Sequence, residues 1–142
     1  MRKVILLAIF PLFLFAGLDM PLVNRVLSSI KVSKKLAYQL KFYNANHQIK
    51  LNKKLKFTSQ KEADILLFSH QKMASGVFVV DSYKKLQEEK NSIGAIYLKK
   101  GRTQIIFIQE RLENKGFKLL KGSQKYIVSE CQLNPLCLLA MH

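Results

Sequence analysis

Ala63-Asp64-Ile65-Leu66-Leu67-Phe68 and, a short way on, Val77-Phe78-Val79-Val80-Asp81-Ser82 decide how this chain folds. Each is a continuous apolar run of strand length, the pattern of a strand buried on both faces. The second run ends in Asp-Ser, a helix start, and Tyr83, Leu86 and the charges up to Lys90 continue that helix. A strand feeding a crossover helix implies a parallel neighbour, here the strand at 64–68. Downstream, Ile93–Leu98 and Gln104–Ile108 are strands, and Lys99-Lys100-Gly101-Arg102 between them is a tight turn with glycine available for positive φ. Those two strands must be antiparallel. Glu110–Lys115 is a short helix stopped by Gly116, and Ser123–Glu130 is expected to be a last helix.

Upstream, Leu22, Val23, Val26, Leu27 and Ile30 fall on one helical face, with Asp19 placed to cap its start. A second helix is expected from Ser33, with Leu36, Ala37, Leu40 and Phe42/Tyr43 as its apolar side. Ile49, Leu51, Leu55 and Phe57 alternate with polar residues, as in an edge strand or hairpin. The expectation is an α/β fold: a single small domain with a mixed sheet covered by helices on both sides.

The chain opens with Arg2 and Lys3, then runs apolar from Val4 to Leu18 before Asp19. Two cations before a short apolar stretch is the layout of a secretory signal. A bilayer-spanning helix takes about 20 apolar residues, and Pro11 would kink one. Residues 1–17 are therefore expected to be a signal peptide cleaved near Ala16 or Gly17, and residues 18–142 a basic periplasmic domain. The cleavage site is imperfect, because Leu14 stands where a small residue belongs. A retained signal tethering the domain to the inner membrane, with membrane contact through residues 4–18, stays open.

The formal charge of +15 remains about +13 without Arg2 and Lys3. Such an excess suits nucleic acid, anionic lipid or an acidic partner, or it is a solvated coat. The lysines are spread, with only Lys50–Lys56 dense, and an exported protein does not ordinarily meet nucleic acid, so none is expected as partner. The only two cysteines, Cys131 and Cys137, flank Gln-Leu-Asn-Pro-Leu. In an oxidising compartment that spacing across an Asn-Pro turn points to a structural disulfide. A redox-active pair would more commonly be Cys-x-x-Cys.

The stretches at 63–68, Val79-Val80-Asp81-Ser82-Tyr83 and Gly94–Arg102 resemble small uncharacterised periplasmic proteins of the Campylobacter–Sulfurimonas type. The arrangement is also similar to one lobe of periplasmic solute-binding proteins. The resemblance spans roughly residues 60–130 and implies ligand or partner binding rather than catalysis. A two-lobed clamp would need about twice this length.

Open α/β sheets bind ligands outside the carboxyl ends of their strands. Those ends are Ser69-His70 and Asp81-Ser82-Tyr83, with the cationic turn Lys99, Lys100 and Arg102 as a further candidate. The bland roles are a helix cap for Asp81 and Ser82, a loop residue for His70 and a solvated turn for the cations. Catalysis lacks its signatures: there is no Gly-x-Ser-x-Gly elbow and no His-Glu-x-x-His or Cys/His quartet. His47, His70 and His142 lie far apart. No cofactor or metal is expected, and the chain is not read as an enzyme. The leading expectation is a periplasmic module binding a small anion or an envelope protein. A basic protein held at an anionic membrane surface is the alternative, and a hydrolase using His70 or Ser82 a more distant one.

Overall fold

The computed structural model describes residues 17–69, 76–134 and 136–137. The signal read over residues 1–17 falls outside these, apart from an exposed Gly17, and so does His70.

Helix α1, Met20–Ser28, begins where expected: Asp19 Oδ1 accepts the Leu22 N–H at 3.2 Å, and Pro21 occupies the first turn. Its stripe Val23, Val26 and Leu27 is fully buried. Strand β1, Ile30–Val32, follows directly. The chain then turns and enters β2, Lys41–Asn44. The helix expected from Ser33 is not formed. Leu36 is left 52% exposed, while Phe42 is buried and Tyr43 half-buried. Phe42 and Tyr43 point to opposite sheet faces, a period of two that the helical reading merged into one apolar side.

The alternation at 49–57 yields only a two-residue edge strand, β3 (Lys56–Phe57). Ile49, Leu51 and Leu55 instead pack from an irregular loop. Both apolar runs form the expected strands, β4 (Ile65–Leu67) and β5 (Phe78–Val80), parallel to each other and buried throughout. Helix α2, Tyr83–Glu88, leads to β6, Ser92–Lys99, which turns into antiparallel β7, Arg102–Ile108. Lys100 (φ 53°) and Gly101 (φ 76°) are both left-handed, the geometry that matches a hairpin's twist.

After α3 (Gln109–Asn114), Gly116 at φ 80° reverses the chain into β8, Phe117–Leu119, a strand the sequence reading missed. It pairs with β1 so that Ile30 faces Leu119 and Val32 faces Phe117. The last helix expected at 123–130 is replaced by a 3-10 turn at Lys121–Tyr126, strand β9 (Ile127–Val128) and a 3-10 turn at Glu130–Leu133. The exposed edge of β7 needs hydrogen-bond partners, and β-branched Ile127 and Val128 supply them in parallel.

The main sheet has seven strands in the order β3-β2-β4-β5-β6-β7-β9 and is mixed, as expected. Its faces separate by alternation along each strand. Phe42, Ile65, Leu67, Val79, Ile96 and Phe107 pack under α1 and the β1–β8 ribbon. Leu66, Phe78, Val80, Ala95 and Ile108 pack against Leu86 of α2 and Leu133. Helices therefore supply only part of the cover. Gly94 is compact for a reason: a Cβ there would stand 2.6 Å from the Ile106 carbonyl oxygen and from the Phe107 ring.

Cys131 and Cys137 form a disulfide with Cα atoms 5.2 Å apart. Among the described residues no helix is long and apolar enough to cross a membrane.

Candidate functional site

β2, β3, β4, β5 and β6 are all parallel, so their carboxyl ends share one edge. That edge collects Asn44, Thr58, Ser69, Asp81-Ser82 and the β6–β7 turn. From β2 the chain steps outward to β3 and then returns to place β4 on the other side of β2. The direction of winding thus reverses between β2 and β4. Connections that depart to opposite sides leave a crevice at such a point, and ligands of open parallel sheets bind there.

A hollow of about 340 Å³ lies on the other side of β2, at the carboxyl ends of β2 and β3, lined by Tyr43, Asn44, His47, Ile49, Phe57 and Thr58 among others. Asn44 shapes its wall. Its Nδ2 donates to the Ile49 carbonyl at 2.7 Å and its Oδ1 accepts the Asn46 N–H at 3.0 Å, closing the loop after β2 as an Asx turn. The lining is mixed: Ile49, Leu51 and Phe57 stand beside the Tyr43 phenol, the His47 imidazole and the Thr58 hydroxyl, and that hydroxyl donates to Glu62 at 3.1 Å. Phe68, at the carboxyl end of β4, is buried at φ 58°, a conformation that strains a bulky side chain.

The structure places the expected residues unevenly. Asp81 is ion-paired to Lys85 at 2.8 Å, and Ser82 Oγ accepts the Lys85 N–H at 3.1 Å. Both therefore serve the first turn of their own helix. Tyr83 is exposed near Tyr97; burial, then the charge of Tyr83, pushes the Tyr97 phenol up from its ordinary pKa. Ser69 is half-buried at the end of β4, while Lys99, Lys100 and Arg102 are exposed at the turn. These residues occupy one edge of the molecule, but His70 is outside the described residues. Tyr43 and Asn44 were missed as site residues because β2 was read as helix, Phe57 was read as an edge-strand residue, and His47 stood as one of three scattered histidines; Thr58 was not singled out.

At the opposite edge a second constellation was also missed. Arg111 of α3 is 5% exposed. Its guanidinium donates to the carbonyls of Leu86 (2.7 Å), Glu89 (3.2 Å) and Ser92 (3.0 Å) and to Ser92 Oγ (3.1 Å). It also makes a forked pair with Glu130, both contacts at 2.7 Å. The planar donor fork suits this double duty. Hydrogen bonding to Arg111 holds the Glu130 carboxyl below its ordinary pKa, against an opposing effect of burial. Beside the pair is a hollow of about 580 Å³, with Lys90, Glu110 and the disulfide in its wall. The Arg111 guanidinium is taken up by carbonyls of the fold and by a partly exposed Glu130, so this constellation is a clamp joining α2, β6, α3 and the tail.

No group of three or more metal-ligating side chains occurs among the described residues. Comparison with protein-family models, with curated proteins and with solved structures finds no match to this chain.

Proposed function

We propose that this chain is an exported, non-enzymatic periplasmic binding module that takes a small anionic ligand at the carboxyl edge of its parallel strands. The observation that supports it is the hollow at the carboxyl ends of the parallel strands β2 and β3, lined by Tyr43, His47 and Thr58. In that hollow the phenol and imidazole would orient an acidic head group, while Ile49 and Phe57 would cover its apolar body. Small-molecule sites combine apolar walls with a few placed polar groups. The charges at the edge agree in sign: Lys99, Lys100 and Arg102 raise the local concentration of anions, and Asp81 is neutralised by Lys85.

Native mass spectrometry of the protein recovered from its periplasm tests the proposal. It reads the processed N-terminus, the loss of two hydrogens at the disulfide and any retained ligand together. A companion titration of 15N-labelled protein with phosphate, acetate and citrate should move the amides of Asn44, His47, Thr58 and Ser69 first. Tyr43→Ala should abolish those shifts without unfolding the chain. No retained mass, together with shifts scattered over surface lysines, would refute the binding role.

A further inference from the structure

The carboxyl edge carries a feature that the hollow does not use. The last β5–β6 pair is Val80 with Ala95, yet β6 continues through Tyr97 to Lys99 with β7 alone as neighbour. At about 3.3 Å per residue the hairpin reaches roughly 13 Å past the end of β5. Its tip presents Lys99, Lys100 and Arg102, all exposed, and none is ion-paired to a described residue. Leu98 beside them is 43% exposed. Lys100 occupies a left-handed position, φ 53°, where Asn or Gly would sit with less strain. A cation stands there at a conformational cost.

The beginning of the chain is fastened to the same finger. The Asp19 N–H donates to Thr103 Oγ1 at 2.7 Å, one residue from Arg102. The preceding stretch from Val4 to Leu18 contains no charged residue.

We infer that the β6–β7 tip is a foot for an anionic lipid surface, a role independent of the ligand proposed for the hollow. A dissolved anion needs donors that converge on it. Here the three side chains leave a turn that has no wall, an arrangement met by a plane of phosphates. Leu98 would sit at headgroup level, and the cations would act through screened attraction to the negative surface.

The protein is tested as recovered from cells, with the N-terminus it carries there. It is 15N-labelled and mixed with nanodiscs of phosphatidylcholine, or of phosphatidylcholine with phosphatidylglycerol, holding a headgroup-spin-labelled lipid. Amide broadening should peak at residues 98–103 in the anionic discs and fade at high salt. Reversing all three charges (K99E/K100E/R102E) should lower the anionic-lipid-dependent part of vesicle binding by more than about 100-fold. The same change on the ribbon (K31E/K34E/K118E) should lower it by less than about threefold. Equal losses in the two triple variants, or broadening spread evenly over the surface, would overturn the inference. His47→Ala should leave lipid binding unchanged, which separates the foot from the hollow.

Discussion

Replacing Arg111 by Met is expected to be the most damaging conservative change outside the apolar core. Methionine fills the volume of the arginine stem but removes every donor of the guanidinium. The Leu86 and Ser92 carbonyls, both in buried surroundings, then lose bonds of 2.7 and 3.0 Å. An unsatisfied buried acceptor costs about 1–3 kcal/mol, so two cost roughly 4 kcal/mol. Glu130 adds little, because its side chain is 38% exposed and can rehydrate. A loss of that size is about a quarter or more of the roughly 5–15 kcal/mol that stabilises a domain, and should lower Tm by about 10–15 °C. Urea denaturation followed by circular dichroism at neutral pH, with the disulfide intact, measures it. Glu130→Gln should cost only about 1 kcal/mol, since it leaves Arg111 on its three carbonyls. If Arg111→Met stays within about 1 kcal/mol of the parent, or if the two variants cost the same, the clamp does not work through the buried carbonyls. The acid limb gives an independent check. The folded Glu130 pKa is lowered, so its contribution is present above the unfolded carboxyl value and is lost as pH falls through the folded one. Arg111→Met should flatten that part of the stability–pH curve.

Gly94→Ala should destabilise by about 3 kcal/mol or more, because its Cβ meets a backbone carbonyl and the immobile Phe107 ring; unchanged thermal unfolding would contradict this packing. The double change Cys131→Ser, Cys137→Ser closes no loop and should cost about 2 kcal/mol in denaturant titrations, while the 15N spectrum of residues 41–108 keeps its dispersion. A collapse of that spectrum would mean that the disulfide holds the sheet and not just the tail. Lys100→Asn should raise stability by about 0.5 kcal/mol, since Asn accepts the left-handed turn position more readily; calorimetry would show a lower Tm if the turn geometry were otherwise.

What could be read from the sequence was whatever local chemistry specifies without help. Asp19 caps α1, Ser82 caps α2, the run at 65–67 is apolar throughout, and Lys100-Gly101 turns the hairpin. β2, β8 and β9 could not be read, because each is only two to four residues long and exists through a partner far along the chain. The apolar content of Phe42-Tyr43 is equally compatible with one turn of helix until Ile65 and Leu66 lie beside it. That error hid the strand order, and with the order went the hollow at the β2 end. The cationic turn was legible as a candidate because its three charges are contiguous. Arg111 was not: nothing in Gln109-Glu110-Arg111-Leu112 separates it from the exposed Arg102, and its burial is decided by Glu130 and the end of α2.

The bond from Asp19 to Thr103 joins groups 84 residues apart, and β1 is likewise matched only by β8, near the other terminus. Synthesis runs from the amino end, so α1 can settle on β2 and β4 early, whereas β1 waits for its partner strand until residues 117–119 exist. Completion of the β1–β8 ribbon is consequently deferred. A ribosome-bound fragment ending at Leu112 should leave the β1 amides open to hydrogen exchange, whereas the finished chain should protect them.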